Sequence, residues 1–87
     1  MLLYCYGGDN MSRIRYKKDM YTIDVICENG KIRVIVDGIE RPLYTRIQGN
    51  TGNPSFIVYV PNKGHNKQLT ISKSIIEAVK EGLNIGD

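Results

Sequence analysis

Two dipeptides, Asn29-Gly30 and Asp37-Gly38, constrain this chain more than anything else in it. Asn-Gly and Asp-Gly favour the left-handed backbone that a two-residue β-hairpin turn requires, and each is flanked by β-branched residues in alternation. The first joins Tyr21–Glu28 to Lys31–Val36, and the second leads into residues 39–47. A two-residue loop at Asn29-Gly30 sets Glu28 against Lys31, Cys27 against Ile32, Val25 against Val34 and Ile23 against Val36. The second turn sets Val36 against Ile39 and Ile32 against Leu43. The apolar members of these pairs share one face, because side chains alternate with period two. Turn chemistry and apolar pattern therefore agree on one register.

The remaining elements follow from periodicity. Residues 11–19 alternate Ile14 and Tyr16 with Arg13, Arg15 and Lys17, which predicts either a first strand with a basic outer face or a flexible arm. Residues 49–54 read as a loop, 55–60 as a strand, 61–67 as a polar basic loop, and 68–71 as a last short strand. The period then changes to a helical one at Ile75, Ile76, Val79 and Leu83. Either Ser74, boxed with Glu77, or Ser72 caps this helix, and Gly82 ends it. The expected fold is α+β: a twisted antiparallel meander of four to five strands with one C-terminal helix packed on one face. Residues 11–87 form a single domain in this reading.

With 87 residues the chain has one modest core and little room for a buried cleft. Residues 1–10 are expected to be a non-native leader or a disordered N-terminus. Gly7-Gly8-Asp9-Asn10 precede Met11 and can be encoded as GGA-GGT-GAT-AAT, a ribosome-binding sequence followed by a start codon. An ordinary Gly-Gly turn is the alternative. Abundant Ile, Lys, Asn and Tyr, with a lone alanine at Ala78, fit an AT-rich genome. The formal charge of +3 loses only Asp9 if the chain starts at Met11, giving +3 − (−1) = +4. That start also leaves Cys27 without Cys5, so no internal disulfide is expected and a reducing cytoplasm fits. The N-terminus lacks the basic flank of a signal peptide, and no apolar run approaches the roughly 20 residues of a membrane helix.

No catalytic constellation emerges. His65 is placed in a loop and Cys27 on the core face, so the two do not meet as a nucleophilic pair. Asp24, Glu28, Asp37 and Glu40 are scattered over turns and hairpin edges, too dispersed for a metal site or an acid–base pair. Asp37 suits turn chemistry and Glu28 cross-strand charge pairing. The glycines of residues 49–52 lack the Lys-Ser/Thr and helix of a phosphate-cradling loop. The expectation is therefore no enzyme activity, no metal and no cofactor.

Two kinds of partner remain. Arg13, Arg15, Lys17, Lys18, Lys31, Arg33, Arg41, Arg46, Lys63 and Lys67 outnumber the acids of the sheet half. The order of a small sheet followed by one helix resembles the DNA-reading domains of plant AP2 proteins and integrase arm-binding domains. The resemblance covers residues 21–83 in topology only. It implies a DNA- or RNA-binding module with a basic sheet face, using Arg13, Arg15, Lys17, Lys18, Arg33, Arg41 and Arg46. Tyr44 and Tyr59 would supply stacking for RNA.

The other reading is a protein partner. Ile26 and Ile35, with Ile57 and Tyr59, lie opposite the core stripe, and one short helix covers only one face. The expected consequence is an exposed apolar patch, anchored by Ile26, Arg33, Ile35, Tyr44 and Tyr59. A tiny chain without catalytic apparatus, encoded in an AT-rich genome, resembles in kind the takeover proteins of phages that infect Gram-positive hosts. That resemblance implies a cytoplasmic inhibitor of a host protein, such as enolase or another metabolic enzyme, RNA polymerase, or a division or nucleoid protein. It would act by occluding an oligomer or functional interface.

Overall fold

The computed structural model of the chain describes residues 11–47, 49 and 52–86. Residues 1–10, with the leader reading and Gly7-Gly8, lie outside the described residues, as do Gln48, Asn50 and Thr51 of the expected loop. Among the described residues, seven strands form two antiparallel sheets and one helix follows them. The first sheet runs β1 (Ser12–Lys18), β2 (Tyr21–Glu28), β3 (Lys31–Val36) and β4 (Ile39–Arg41), in that order. The second holds β5 (Tyr44–Ile47), β6 (Pro54–Asn62) and β7 (His65–Ile71), and α1 (Lys73–Lys80) follows.

The class is the expected α+β, but a single meander is replaced by two sheets. The expected strand over 39–47 breaks at Pro42 and Leu43, so β4 stays in the first sheet and β5 starts the second. Proline has no N–H to offer a ladder. The β3–β4 pairing accordingly stops at Val34 opposite Arg41, and the expected Ile32–Leu43 pair does not form. The other register assignments hold, from Glu28 opposite Lys31 to Ile23 opposite Val36 and Val36 opposite Ile39.

Among the described residues, two-residue turns join β1–β2, β2–β3, β3–β4 and β6–β7. In each, both central residues have positive φ: Asn29-Gly30 (52° and 77°), Asp37-Gly38 (50° and 84°), Lys63-Gly64 (52° and 86°) and Asp19-Met20 (51° and 72°). The Lys63-Gly64 turn corrects the loop expected over 61–67, where β6 and β7 continue up to it and His65 pairs with Asn62. At Asp19-Met20 no glycine is present, and Met20, 96% exposed, holds a left-handed backbone. Met20→Gly is therefore expected to raise stability by about 0.5–1 kcal/mol, read as a higher urea midpoint. An unchanged midpoint would show that Met20 carries no strain.

Of residues 11–19, Ser12–Lys18 form the strand β1 rather than an arm. Its second edge is covered by the C-terminal tail, where Ile85 lies parallel to Ile14. The Arg15 N–H donates to the Ile85 carbonyl at 2.8 Å, and the Ile85 N–H donates to the Arg13 carbonyl at 3.0 Å. The helix starts at Ser72, whose hydroxyl accepts from the Ile75 N–H, so Ser72 and not Ser74 is the cap. It ends in a glycine motif: Gly82 N–H donates to Val79 O and Leu83 N–H to Ala78 O, both at 3.1 Å.

Ile14, Ile23, Val25, Cys27, Val34 and Val36 of the first sheet share one core with Phe56, Val58, Val60, Leu69 and Ile71 of the second. Ile76 and Val79 of the helix complete it, and α1 lies on β1 and β2. The helix thus covers the four-stranded sheet, which separates this fold from the AP2-like arrangement of one three-stranded sheet under a helix. Tyr16 lies against the same core, and its buried hydroxyl has no hydrogen-bond partner among the described residues. Burial pushes its pKa above the ordinary tyrosine value.

Cys27 is fully buried and disulfide-bonded. This overturns the expectation of a reduced thiol, and the chain's other cysteine, Cys5, lies outside the described residues. Such bonds are uncommon in reducing compartments, so a reducing cytoplasm loses the support that a lone thiol gave it. Among the described residues no helix is long and apolar enough to cross a membrane.

Candidate nucleic-acid interface

The outer face of the first sheet is not the expected apolar patch. Ile26 stands in register between Arg13 and Arg33 and is only 9% exposed. Ile35, half-buried, is flanked by Asp24 and Glu40. The charges on this face satisfy one another. The Arg15 Nε donates to Asp24 Oδ1 at 2.7 Å, and Asp24 is itself buried. Arg33 donates to Glu40 Oε1 at 2.7 Å and to Glu28 Oε1 at 3.1 Å. Its hydrogen bond holds the Glu40 carboxyl below the ordinary range, and the same contact raises Arg33. Asp37 Oδ1 accepts from the Thr22 N–H at 2.8 Å. The four acids are thus consumed by structure, with Glu28 engaging Arg33, and no cluster of three metal-ligating side chains occurs among the described residues.

The second sheet presents a different surface. Alternation puts Phe56, Val58 and Val60 of β6 into the core and turns Ile57 and Tyr59 outward. Tyr44 of β5 lies directly opposite Ile57, while Thr70 and Gln68 of β7 stand opposite Ile57 and Tyr59. Tyr44 and Tyr59 meet edge to face, with ring centroids 5.7 Å apart and planes at 61°. The Arg46 Nη2 donates to the Tyr59 hydroxyl at 3.3 Å. Arg46 pairs with Ser55, two residues before Ile57, so this bond draws the Tyr59 side chain along the sheet across Ile57. Ile57 is accordingly 1% exposed, although it faces away from the main core, and Tyr44 stays 52% exposed above it. An aromatic and guanidinium layer therefore seals an aliphatic base.

The anchors expected for a protein partner are split by this architecture. Ile26, Arg33 and Ile35 belong to the first sheet, and Tyr44 and Tyr59 to the second. The basic set is split as well. Arg15 and Arg33 are paired with acids, and Lys18 Nζ donates to the Thr70 carbonyl. Arg41 sits opposite buried Val34, on the core side, with its buried Nε lacking a partner among the described residues. Arg13 and Lys17 remain on the outer side of β1, and Arg46 joins the tyrosines. His65 is an exposed residue at the start of β7 rather than in a loop, and lies outside the Tyr44–Tyr59 cluster.

One sequence signal points to the second sheet and is easily missed in whole-chain totals. No Asp or Glu occurs between Glu40 and Glu77, whereas Arg41, Arg46, Lys63, Lys67 and Lys73 all do. The sheet β5–β6–β7 is thus free of acidic residues of its own. Among the described residues, Asp19 in the β1–β2 turn reaches it from outside, 3.7 Å from Lys67, which also lies over the Tyr21 ring.

No protein-family model, curated protein or solved structure matches this chain.

Proposed function

We propose that this chain is a non-catalytic binding module that takes nucleic acid on the outer face of its second sheet. The observation that carries this reading is the Tyr44–Tyr59–Arg46 layer on a sheet that contains no acidic residue. Cationic side chains recruit phosphates without competition from neighbouring carboxylates, and aromatic faces accept bases. The first sheet supports the opposite assignment for itself, because Arg15 and Arg33 are already neutralised by Asp24, Glu28 and Glu40.

If three or four phosphates are engaged, log affinity is expected to fall linearly with log salt at a slope of about −2 to −3. Fluorescence anisotropy of a labelled oligonucleotide between low and physiological salt measures it. Salt-insensitive retention, or no retention at low salt, would remove the reading.

A second reading, an inhibitor of a host protein of the phage-takeover kind, draws support from exposed Ile39 and Ile47, 55% and 68% accessible. Tyrosine and arginine also anchor protein interfaces. A pull-down from lysate with and without nuclease separates the two: nuclease-resistant capture that salt does not weaken favours the protein partner.

A further inference from the structure

We infer that the occupant of this face is single-stranded RNA, with two successive bases seated on Tyr44 and Tyr59. The inference rests on the nucleic-acid reading above and specifies its ligand. The two ring centroids stand 5.7 Å apart and their planes are turned by 61°. Bases in a duplex stack on one another at about 3.4 Å along each strand, so two bases that each take one of these rings cannot also stay stacked together. A duplex has no such bases to give, whereas an opened single strand does. The surface is also built as a sheet floor: Ile57 lies beneath the rings at 1% exposure, and the polar row Asn66, Gln68 and Thr70 of β7 borders it.

Charge and hydrogen bonding assign the rest of the strand. Arg46 lies at one end of the tyrosine pair, and Lys63, in the β6–β7 turn, lies beyond the other, so cations bracket the aromatic pair. They are placed to meet phosphates on either side of two seated bases. Asn66, Gln68 and Thr70 are exposed side chains that both donate and accept hydrogen bonds. The ribose 2′-hydroxyl does both as well and is what distinguishes RNA from DNA, which is why RNA is the assigned occupant.

The test uses the full chain with a short fluorescein-labelled oligouridylate, its deoxy counterpart, an RNA duplex and heparin. Tyr44→Ala and Tyr59→Leu are each expected to weaken oligouridylate binding about 10-fold while leaving the salt slope unchanged, because they remove stacking and no phosphate contact. Tyr59→Phe keeps the ring and is expected to bind within about threefold of the parent. The chain has no tryptophan and six tyrosines, so the part of the tyrosine quenching on binding that is lost in Tyr44→Ala and Tyr59→Leu reports stacking at these two rings. Circular dichroism checks that each variant is folded.

The outcomes separate cleanly. If duplex and heparin bind as well as the oligouridylate and the tyrosine variants bind normally, the stacking inference is overturned while the electrostatic reading stands. If the deoxy strand binds as tightly as the RNA, the assignment to RNA is overturned. If none of the four probes binds at low salt, the underlying nucleic-acid reading fails too. If Tyr44→Ala instead abolishes a nuclease-resistant protein capture, the face belongs to a protein.

Discussion

Ile23→Ala is expected to cost about 2–5 kcal/mol and to bring the domain close to its unfolding limit. Ile23 is fully buried in β2, between Tyr16 and Val36 in register, and its face meets the shared core of both sheets and the helix. Truncation removes the transfer free energy of three carbons and leaves a cavity that rigid neighbouring strands cannot fill. A domain of this size has a total stability of roughly 4–13 kcal/mol, so the loss is a large fraction of it. Thermal denaturation is expected to show a drop of at least about 10 °C. Ile35→Ala, on the outer face of the adjacent strand, is the internal comparison. It removes the same atoms from a half-buried site between Asp24 and Glu40, and about 1 kcal/mol is expected. Equal losses at the two positions would show that the outer face is packed like the core, and the assignment of faces would be wrong.

The largest expected functional effect comes from reversing two charges. Arg46→Glu with Lys63→Glu places acids on a sheet that has none of its own. A phosphate contact in water is worth about 1 kcal/mol, and reversal replaces attraction by repulsion. Two reversals amount to about 4 kcal/mol unscreened, and screening near physiological salt leaves about two-thirds of it, so nucleic-acid affinity is expected to fall about 100-fold. The salt slope should become shallower by about 1.4, because two phosphate contacts on a single strand are lost. Both residues are exposed, so folding should be little affected apart from the Arg46–Tyr59 hydrogen bond. Anisotropy titrations at several salt concentrations read affinity and slope together. An affinity within threefold of the parent would place the binding surface elsewhere, most directly on Arg13 and Lys17 of β1.

The two predictions bear on different parts of the same alternation. In β6, odd and even positions have different fates: Val58 and Val60 fill the core, while Ile57 and Tyr59 build the outer layer. Alternation alone predicts exposed apolar area from that second set. The structure removes it by a local device, in which Tyr59 is drawn across Ile57 by Arg46 and flanked by Tyr44. What this outer layer leaves exposed is aromatic and cationic rather than aliphatic, a surface chemistry that suits a polyanion better than an apolar protein partner.

The hairpins and their register follow from the order of amino acids alone. Asn29-Gly30 and Asp37-Gly38 demanded left-handed turns, period-two alternation chose the faces, and the switch to helical period at Ile75 located the helix. These are local rules, acting over a few residues. The sequence also held the acid-free interval from Arg41 to Ile76, which becomes informative once it is known to coincide with one sheet. How the strands are shared between two sheets is a matter of long-range packing. Pro42 could have bent a single sheet or divided it, and the choice depended on β6 and β7 bringing a second apolar face to the common core. The same packing decided the fate of the basic residues. Whether an arginine meets a carboxylate across a ladder, as Arg33 does with Glu40, or a tyrosine, as Arg46 does, is fixed by register between strands and not by composition.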